Sequence, residues 1–243
     1  MKNLYEIFLF FITKSINIIR IRRMTNEWNN RSIKDVFTDI YKKSEWGSSE
    51  ENSQPFYSGL GSHDIAVVNP YVKVVIEFLS KFETHPNVVD LGCGDFSIGS
   101  KIRNHCNNYV ACDIVSELIE FNSKNYANLG VDFRTLDMSS DELPEGDIVF
   151  IRQVFQHLSN EQIENALQKI IKKYKFLVLT EHLPFSDEFI HNIDKPAGPG
   201  VRTKLSSGVV LTSAPFNMKF TRQSTLCSVR AYGGKITTLL YEF

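Results

Sequence analysis

The chain has 243 residues, a formal net charge of -1 at pH 7 and 42% hydrophobic residues. This length and apolar content suffice for one sizeable α/β domain with extensions. The near-neutral charge gives no reason to expect a broad nucleic-acid surface, so no nucleic-acid partner is predicted. The four cysteines form no C-x-x-C pair, which favours reduced thiols in a cytoplasmic protein over zinc ligands or disulfides.

Residues 1–23 are strongly apolar and end in Arg22 and Arg23. The uninterrupted apolar stretch is shorter than the roughly 20 residues that cross a bilayer, and no signal-peptide cleavage site follows it. Three interpretations are open: a helix at the membrane surface, a helix packed on the domain or on a second subunit, and a segment absent from the working protein if translation starts at Met24. We therefore expect a cytoplasmic protein, with peripheral membrane contact or dimerisation through residues 1–23 as open alternatives.

The next part of the chain predicts a helix and then a loop. Residues 25–45 carry apolar side chains at helical spacing, so residues 1–45 are interpreted as a helical N-terminal extension. Residues 46–69 are rich in glycine and serine and lack periodicity, which indicates a loop. A helix is predicted to open at Asn69-Pro70-Tyr71, and residues 70–243 are interpreted as the main domain.

The most informative stretch is residues 88–96, with the sequence VVDLGCGDF. An apolar run typical of a short buried strand leads into Gly92 and Gly94, and a helix is predicted to follow. This layout brings backbone N–H groups close to a ligand, and glycine permits the positive φ angles that such a turn needs. A single Gly-x-Gly is weak evidence by itself, because any tight strand-to-helix turn can use it.

Further apolar runs predict strands at 109–114, 131–138, 147–153 and 175–181, with helices between them. This alternation is typical of an α/β protein with a Rossmann-like, doubly wound and mostly parallel sheet. The end of the chain predicts a β-hairpin around Gly233-Gly234. Asp113 ends the second run about twenty residues after the glycine turn, where an acid is placed to accept hydrogen bonds from ribose hydroxyls.

In this order, Asp90-Leu91-Gly92-Cys93-Gly94, Asp113, Leu136-Asp137-Met138 and residues 152–158 resemble the motifs of class I S-adenosylmethionine (SAM) dependent methyltransferases. The resemblance spans residues 70–185 and implies SAM as the cofactor and a final strand that runs antiparallel. Ser97 stands where the NAD fingerprint has its third glycine, which disfavours an NAD-linked oxidoreductase.

The loop at 46–69 adds a finer resemblance. Trp46-Gly47 followed by Ser58-Gly59-x-Gly61-Ser62 is similar to a bacterial methyltransferase group associated with surface polysaccharides. That resemblance implies that the loop covers the SAM pocket, and a plain linker is the alternative.

The same resemblance assigns roles to the acidic residues. Asp90 would orient the glycine turn and the amino group of the cofactor, Asp113 would accept from the ribose, and Asp137 would accept from the adenine amino group with Met138 against the ring. The complete set predicted to bind the cofactor is Gly59, Ser62, Asp90, Gly92, Cys93, Gly94, Asp95, Phe96, Asp113, Ile114, Asp137, Met138, Arg152 and Gln153.

Three residues are candidates for catalysis. His157 follows the fourth strand, where the transferred methyl group should face the acceptor, and could act as a general base with a pKa near the working pH. A structural histidine that caps the following helix is the alternative. Glu181 and His182, after the fifth strand, form a second candidate pair.

The long loop after the fifth strand is rich in proline and glycine, and such loops carry substrate contacts in α/β proteins. Asp194, Lys195 and Arg202 of this loop, together with Gln156, are predicted to bind the acceptor. Arginine offers a rigid fork to phosphate or carboxylate, so a polar or anionic acceptor is favoured. The alternative is that these are solvated loop charges.

The predicted function is methyl transfer from SAM by in-line displacement to an oxygen, less readily a nitrogen, of a small polar acceptor such as a sugar or glycan. No metal-ligand cluster stands out in the sequence, so no metal is predicted. Residues 152–155 read RQVF rather than Asn-Pro-Pro-Tyr, which argues against base or amide nitrogens as acceptors. The rival hypothesis is a non-catalytic SAM-binding or scaffold protein whose working part is the N-terminal helix.

Overall fold

The computed structural model describes residues 31–48 and 54–243, so the expectations for residues 1–23 and for Met24 lie outside the described residues. The helices are α1 Ile33–Lys42, α2 Leu60–His63, α3 Ile65–Leu79, α4 Gly99–Ile102, α5 Ser116–Asn125 and α6 Asn160–Lys173. The strands are β1 Val88–Leu91, β2 Tyr109–Asp113, β3 Asp132–Thr135, β4 Ile148–Arg152, β5 Phe176–Pro184, β6 Ile190–His191, β7 Ser207–Gly208, β8 Arg222–Ala231 and β9 Gly234–Glu242. None of these helices is long and apolar enough to span a bilayer, a statement that covers the described residues alone.

Seven strands form one sheet in the order β3-β2-β1-β4-β5-β9-β8. The first five pair in parallel, whereas β9 runs antiparallel to both β5 and β8. The order of the strands reverses between β1 and β4, and such a switch point is where an open α/β sheet binds its ligands. The predicted fold class, including the antiparallel C-terminal hairpin strand, is confirmed.

The centre of the sheet is buried on both faces. Val89 and Val149 pack into one apolar cluster, and Val88 and Ile148 pack into a second cluster on the opposite face. A parallel strand covered on both faces carries an almost continuous apolar run, which explains the composition of β1 and β4. Asp90 is the polar exception within β1, and it is buried.

The first described helix belongs to the same core. Four side chains of α1 are buried in the cluster that contains Val89 and Val149, namely Val36, Phe37, Ile40 and Tyr41. They are the residues whose helical spacing predicted a core-facing stripe. The helix therefore packs on the sheet, although the domain boundary at residue 45 stays a prediction.

The helix α3 begins four residues earlier than predicted. Asp64 is its N-cap and accepts a hydrogen bond from the backbone N–H of Ala66 at 2.9 Å. Pro70 lies inside the helix instead of opening it. Pro70 cannot donate to the carbonyl of Ala66, but Ala66 is exposed, so water can replace that bond.

The helix α6 begins with a reciprocal cap, which the capping-box pattern Ser159-x-x-Gln162 of the sequence predicts. The Ser159 hydroxyl accepts from the backbone N–H of Gln162 at 3.3 Å, and the side chain of Gln162 accepts from the backbone N–H of Ser159 at 2.9 Å. The cap places the apolar stripe of the helix against the sheet. The buried members of that stripe are Ile163, Ala166, Leu167 and Ile170.

The segment between β5 and β8 contains β6 and β7, which pair in parallel. Asn192 is buried and organises this segment through its side chain. Its amide nitrogen donates to the carbonyls of Val210 and Ala214, both at 2.9 Å, and its oxygen accepts from the backbone N–H of Val210 at 2.8 Å. The long loop predicted from its proline and glycine content therefore has a defined structure and lies over the end of β5.

Replacing Ser159 with alanine removes one half of the cap of α6. We expect Ser159→Ala to lower the free energy of unfolding by about 1 kcal/mol, measured by urea denaturation, because the N–H of Gln162 loses its acceptor. The control is Ser123→Ala, at an exposed position of α5, which should change the free energy by less than about 0.5 kcal/mol. Equal losses in both variants would contradict the assignment of the cap.

Candidate active site

A cavity of about 290 Å³ lies at the carboxyl ends of β1 to β4. Its floor is formed by the turns that follow these strands, including residues 90–94, 136–138 and 152–158. Its other walls come from α1, from residues 58–62 and from the loop that carries Pro199 and Val201. The cavity therefore occupies the switch point of the sheet.

The glycine turn after β1 has no room for side chains. Gly92 and Gly94 have φ angles of +81° and +57°. A Cβ atom on Gly92 would lie 2.5 Å from the side chain of Val154, and one on Gly94 would lie 2.4 Å from the hydroxyl of Ser58. The turn thus requires glycine both for its backbone angles and for the close approach of two neighbouring segments.

Asp113 ends β2 next to this turn and lines the cavity. Its carboxylate accepts from the backbone N–H of Gly94 at 3.2 Å and from that of Val115 at 3.1 Å. Burial raises the pKa of Asp113 to about 6, although the backbone donors oppose this shift. Asp113 is therefore mainly ionised at neutral pH and can accept further hydrogen bonds from a ligand.

Asp137 and Met138 follow β3 and also line the cavity, as does Ile114 after β2. One oxygen of Asp137 accepts from the backbone N–H of Ser139 at 2.8 Å and from its hydroxyl at 2.6 Å. These bonds fix the orientation of the Asp137 carboxylate in the turn that follows β3. The other oxygen of Asp137 accepts none of the hydrogen bonds described in the structure.

A buried carboxyl group and a half-buried guanidinium lie at the inner end of the cavity. Asp90 accepts from the hydroxyl of Tyr109 at 2.9 Å, and burial raises the pKa of Asp90 to about 7. The Arg152 guanidinium lies 4.9 Å from the centre of the Tyr71 ring and donates to the carbonyl of Gly61 at 2.6 Å. Its Nε is buried and has no hydrogen-bond partner among the described residues.

Asp95 holds the segment 56–63 against the glycine turn. One carboxylate oxygen accepts from the backbone N–H of Ser58 at 2.8 Å and from the Nε2 of His63 at 2.7 Å, while the Asp95 N–H donates to the Ser58 hydroxyl at 2.8 Å. Burial raises the pKa of Asp95, but the bonds from His63 and the backbone outweigh it and the net shift is downward. Asp95 does not line the cavity itself.

Phe96 likewise lies outside the cavity lining. Its ring is fully buried and makes edge contacts with the rings of Tyr109, Tyr126 and Phe133. The sequence predicted both Asp95 and Phe96 as cofactor contacts because they follow the glycine turn directly. In the structure Asp95 fastens the neighbouring segment and Phe96 fills the core beneath the turn.

The outer end of the cavity carries an aromatic wall. The rings of Trp46 and His157 are 5.0 Å apart, and the indole N–H donates to the carbonyl of Pro199 at 3.4 Å. His157 Nδ1 lies 3.2 Å from the carbonyl of Gly198, and its Nε2 lies 3.3 Å from the amide nitrogen of Gln156. Burial lowers the pKa of His157 to about 3, which differs from the expected titration near the working pH.

Glu181 and His182, the second catalytic candidates, do not line the cavity. Glu181 is buried and accepts from the backbone N–H groups of Phe155 at 3.0 Å and Gln156 at 3.1 Å, and burial raises its pKa to about 8. The Nε2 of His182 lies 3.2 Å from the carbonyl of Ala231, and burial lowers its pKa. Glu181 thus holds the turn after β4, and His182 packs against the C-terminal hairpin.

The charged loop residues predicted to bind the acceptor also lie outside the lining. Lys195 and Arg202 are buried; Lys195 donates to the carbonyl of His157 at 3.2 Å, and Arg202 donates to that of Leu158 at 2.7 Å. Asp194 accepts from the backbone N–H of Asn160 at 2.8 Å. These three residues fasten the loop to the turn after β4, which brings Pro199 and Val201 into the cavity wall.

Most of the predicted site residues meet in one place. Of the predicted catalytic and acceptor-binding residues, His157 and Gln156 line the cavity. The predicted cofactor residues in the lining are Gly59, Ser62, Asp90, Gly92, Cys93, Gly94, Asp113, Ile114, Asp137, Met138, Arg152 and Gln153. Across residues 31–48 and 54–243, no three His, Cys, Asp or Glu side chains lie close enough to hold a metal ion.

Sequence reasoning did not assign the aromatic residues of the lining. Tyr41 belongs to the predicted N-terminal helix and Trp46 to the predicted lid loop, whereas Tyr71 and Tyr109 were given no role in the site; all four line the cavity. Helical spacing predicted the helix that carries Tyr41 and an apolar run predicted the strand that carries Tyr109, but such patterns do not distinguish a core from a cavity wall. The resemblance through Trp46-Gly47 and residues 58–62 was the signal that pointed to this region.

Part of this chain matches a known protein family. Residues 88–175 match a family model described as a methyltransferase domain. No curated protein sequence matches the chain.

Several solved structures share the fold. NodS, an N-methyltransferase from Bradyrhizobium japonicum WM9 crystallised with S-adenosylhomocysteine (SAH), has a TM-score of 0.55 and 12% identity over 73% of this chain and 87% of its own. ChlM, the magnesium protoporphyrin IX methyltransferase of Synechocystis PCC 6803 with bound SAM, has a TM-score of 0.54. The match has 14% sequence identity and covers 88% of this chain and 99% of ChlM. Human N-acetylserotonin methyltransferase with SAM has a TM-score of 0.50. The match has 17% sequence identity and covers 86% of this chain and 65% of the human protein.

The residues of the cavity fit SAM. The glycine turn brings its backbone to the cavity lining, Asp113 offers an ionised carboxylate, and the unpartnered Nε of Arg152 offers a donor to an anionic group. The matched segment 88–175 contains all three features. Together with the shared fold, they indicate that the matched residues 88–175 form a methyltransferase domain with SAM as its cofactor.

Proposed function

We propose that this methyltransferase acts on an oxygen, less readily a nitrogen, of a small polar acceptor, of which a sugar or glycan is one example. The observation that carries the proposal is a single cavity with two chemically different ends. Carboxylates and the glycine turn line the end at β1 to β3, whereas carboxamide, imidazole and indole groups line the end beyond β4. A donor bound at the first end and an acceptor bound at the second would meet between them.

The cofactor end has a partner for each polar part of SAM. We assign the ribose hydroxyls to Asp113 and the adenine amino group to the free oxygen of Asp137, since a carboxylate offers acceptor sites only. The carboxylate of the methionine portion is assigned to Arg152, whose Nε is buried without a partner. Asp90, at the same inner end, would receive the amino group.

The segment 56–63 is proposed as a cover for the cofactor, in keeping with its predicted role as a lid. Ser58 lies directly over Gly94, and Gly59, Gly61 and Ser62 contribute to the lining. Small residues allow this backbone to approach the glycine turn closely. The bonds from Asp95 would keep the cover closed and exclude water during the transfer.

When bound, SAM supplies a methyl group on a sulfonium, which is transferred to the acceptor as the carbon–sulfur bond breaks and its electron pair stays on sulfur. The chain has to hold the acceptor in line and keep water away. Because its pKa is about 3, His157 is neutral and a poor proton acceptor at neutral pH. We therefore assign the ring a role in positioning the acceptor. A proton released by an alcohol acceptor would then leave to solvent.

Calorimetry with SAH and NAD and a transfer assay with radiolabelled SAM test this function. We expect the protein to bind SAH and not NAD, and to transfer label to at least one sugar nucleotide or cell glycan. Binding of SAH without transfer to any acceptor would support the scaffold hypothesis. Failure to bind SAH would remove the cofactor assignment.

Asp113→Asn should weaken the binding of SAH by about tenfold or more, because hydrogen bonds to a charged acceptor contribute about 1.5–3 kcal/mol each. Calorimetry gives the affinity, and Asp132→Asn, at an exposed position of β3, is the matched control. An unchanged affinity in Asp113→Asn would refute the ribose assignment.

The same residue predicts a dependence on pH. With a pKa near 6, Asp113 becomes protonated as the pH falls from about 7.5 to about 5, so its acceptor strength declines and SAH affinity should fall with it. Asp90, with a pKa of about 7, adds its own loss of affinity, and in the variant this loss should move to lower pH because the Asp113 charge raises the pKa of Asp90. The part due to Asp113 is therefore the difference between the two profiles, and identical profiles would contradict it.

Asp95→Asn should loosen the cover over the glycine turn, because Ser58 and His63 lose a charged acceptor. We expect the backbone amide of Ser58 to exchange with deuterium about tenfold faster or more in the absence of cofactor. The amide of Leu136, which donates to the backbone carbonyl of Asp113 at 2.9 Å, serves as the internal reference. An equal acceleration at both amides would indicate general destabilisation instead.

A further inference from the structure

We propose that the methyl acceptor presents an uncharged hydroxyl group to the carboxamides of Gln153 and Gln156, and that this pair selects neutral hydroxyl-bearing acceptors against anionic and cationic ones. The inference rests on the proposed function, because it concerns the acceptor end of the same cavity. It narrows the substrate class to alcohols, among which ring compounds such as sugars suit the aromatic wall.

The cofactor assignment decides which part of the cavity is left for the acceptor. The glycine turn, Asp113 and Asp137 all lie on the β1 to β3 side of the switch point. The opposite side is formed by the turn after β4, by Trp46 and by Pro199. The acceptor must therefore contact the side chains of the turn after β4.

The orientation of the Gln156 amide follows from its neighbours. The carbonyl of Gly198 can only accept, so the Nδ1 of His157 at 3.2 Å carries the hydrogen. In the neutral ring Nε2 is then an acceptor, and it lies 3.3 Å from the Nε2 of Gln156. The same amide nitrogen donates to the carbonyl of Gln153 at 3.2 Å. Both hydrogens of the Gln156 amide face acceptors, which fixes its Oε1 as the remaining end.

Two polar atoms of this turn are left without partners. Gln156 Oε1 and Gln153 Nε2 are both buried, and neither has a hydrogen-bond partner among the described residues. Such an atom costs about 1–3 kcal/mol unless a ligand satisfies it. Gln153 also has a φ angle of +57°, a rare conformation for a residue other than glycine that is concentrated at functional sites.

With the Gln153 amide oriented as in the structure, the pair consists of one acceptor atom and one donor atom. This pairing assigns Gln153 to the methyl acceptor, whereas the sequence predicted it as a cofactor contact. A hydroxyl group both donates and accepts, so it can pair with Gln156 Oε1 and with Gln153 Nε2. A carboxylate has no hydrogen for Gln156 Oε1, and an ammonium group has no lone pair for Gln153 Nε2. Either charged group would leave one of the two buried atoms unpaired.

The charges around this end agree with a neutral ligand. His157 is held neutral by burial, and the nearby cations Lys195 and Arg202 are turned to backbone carbonyls outside the lining. A charged acceptor would therefore lose its hydration without gaining a counter-ion. The Trp46 ring, fixed by its bond to Pro199, offers a flat face to the carbon skeleton of the acceptor.

The test uses the whole protein saturated with SAH and calorimetry with two matched series of probes. One series is benzyl alcohol, benzoate and benzylammonium; the other is cyclohexylmethanol, cyclohexanecarboxylate and cyclohexylmethylammonium. We expect the neutral member to bind about tenfold more tightly than both charged members in at least one series. Tighter or equal binding of a charged member in both series, or no binding of either neutral member, would overturn the proposal.

Variants of Gln156 separate recognition from folding. Gln156→Met keeps the length of the side chain but removes the carboxamide. It should weaken the binding of the neutral probe about tenfold, while the affinity for SAH stays unchanged. Gln168→Met, at an exposed position of α6, is the matched control. Gln156→Glu should shift the preference towards the cationic member. Unaltered preferences in both Gln156 variants would overturn the proposal, whereas loss of SAH binding by the wild type would instead count against the proposed function.

Discussion

The contact of the glycine turn with its two neighbours is the constraint on which the site depends. Val154 and Ser58 occupy the positions where side chains on Gly92 and Gly94 would lie. The backbone N–H groups of Gly92 and Cys93 both donate to the carbonyl of Cys112, at 2.8 and 2.9 Å. The turn is thus fixed from below by β2 and enclosed from above, and any larger residue would push these segments apart and open the cavity.

Buried ionisable side chains hold the loops around the cavity and do not point into it. Glu181 binds two backbone N–H groups of the turn after β4, while Lys195 and Arg202 bind backbone carbonyls of the same region. A buried polar group is stable only with such partners, so these side chains are committed to the backbone. The outer end of the cavity is consequently held by ionisable residues but lined by neutral ones.

The acidic residues around the glycine turn differ in burial, hydrogen-bond partners and pKa. Asp113 and Asp90 lie deep in the site, and burial raises their pKa values to about 6 and about 7. Asp95, one residue after the turn, is bonded to His63 and two backbone N–H groups, and its pKa is lowered. The same carboxylate chemistry therefore lines the cavity in two cases and fastens the segment 56–63 in the third.

The sequence by itself determined the strand pattern, the glycine turn and the acids at the strand ends, because these depend on short-range periodicity and on φ angles that glycine favours. It also determined the cap of α6, whose two residues are three positions apart. Only the tertiary structure decided the roles of Asp95, Glu181 and Arg202, since an ionisable residue at or beyond the end of a strand can face solvent, a ligand or the backbone. It likewise revealed the aromatic wall at Trp46, because contacts between distant segments depend on packing that local spacing does not encode.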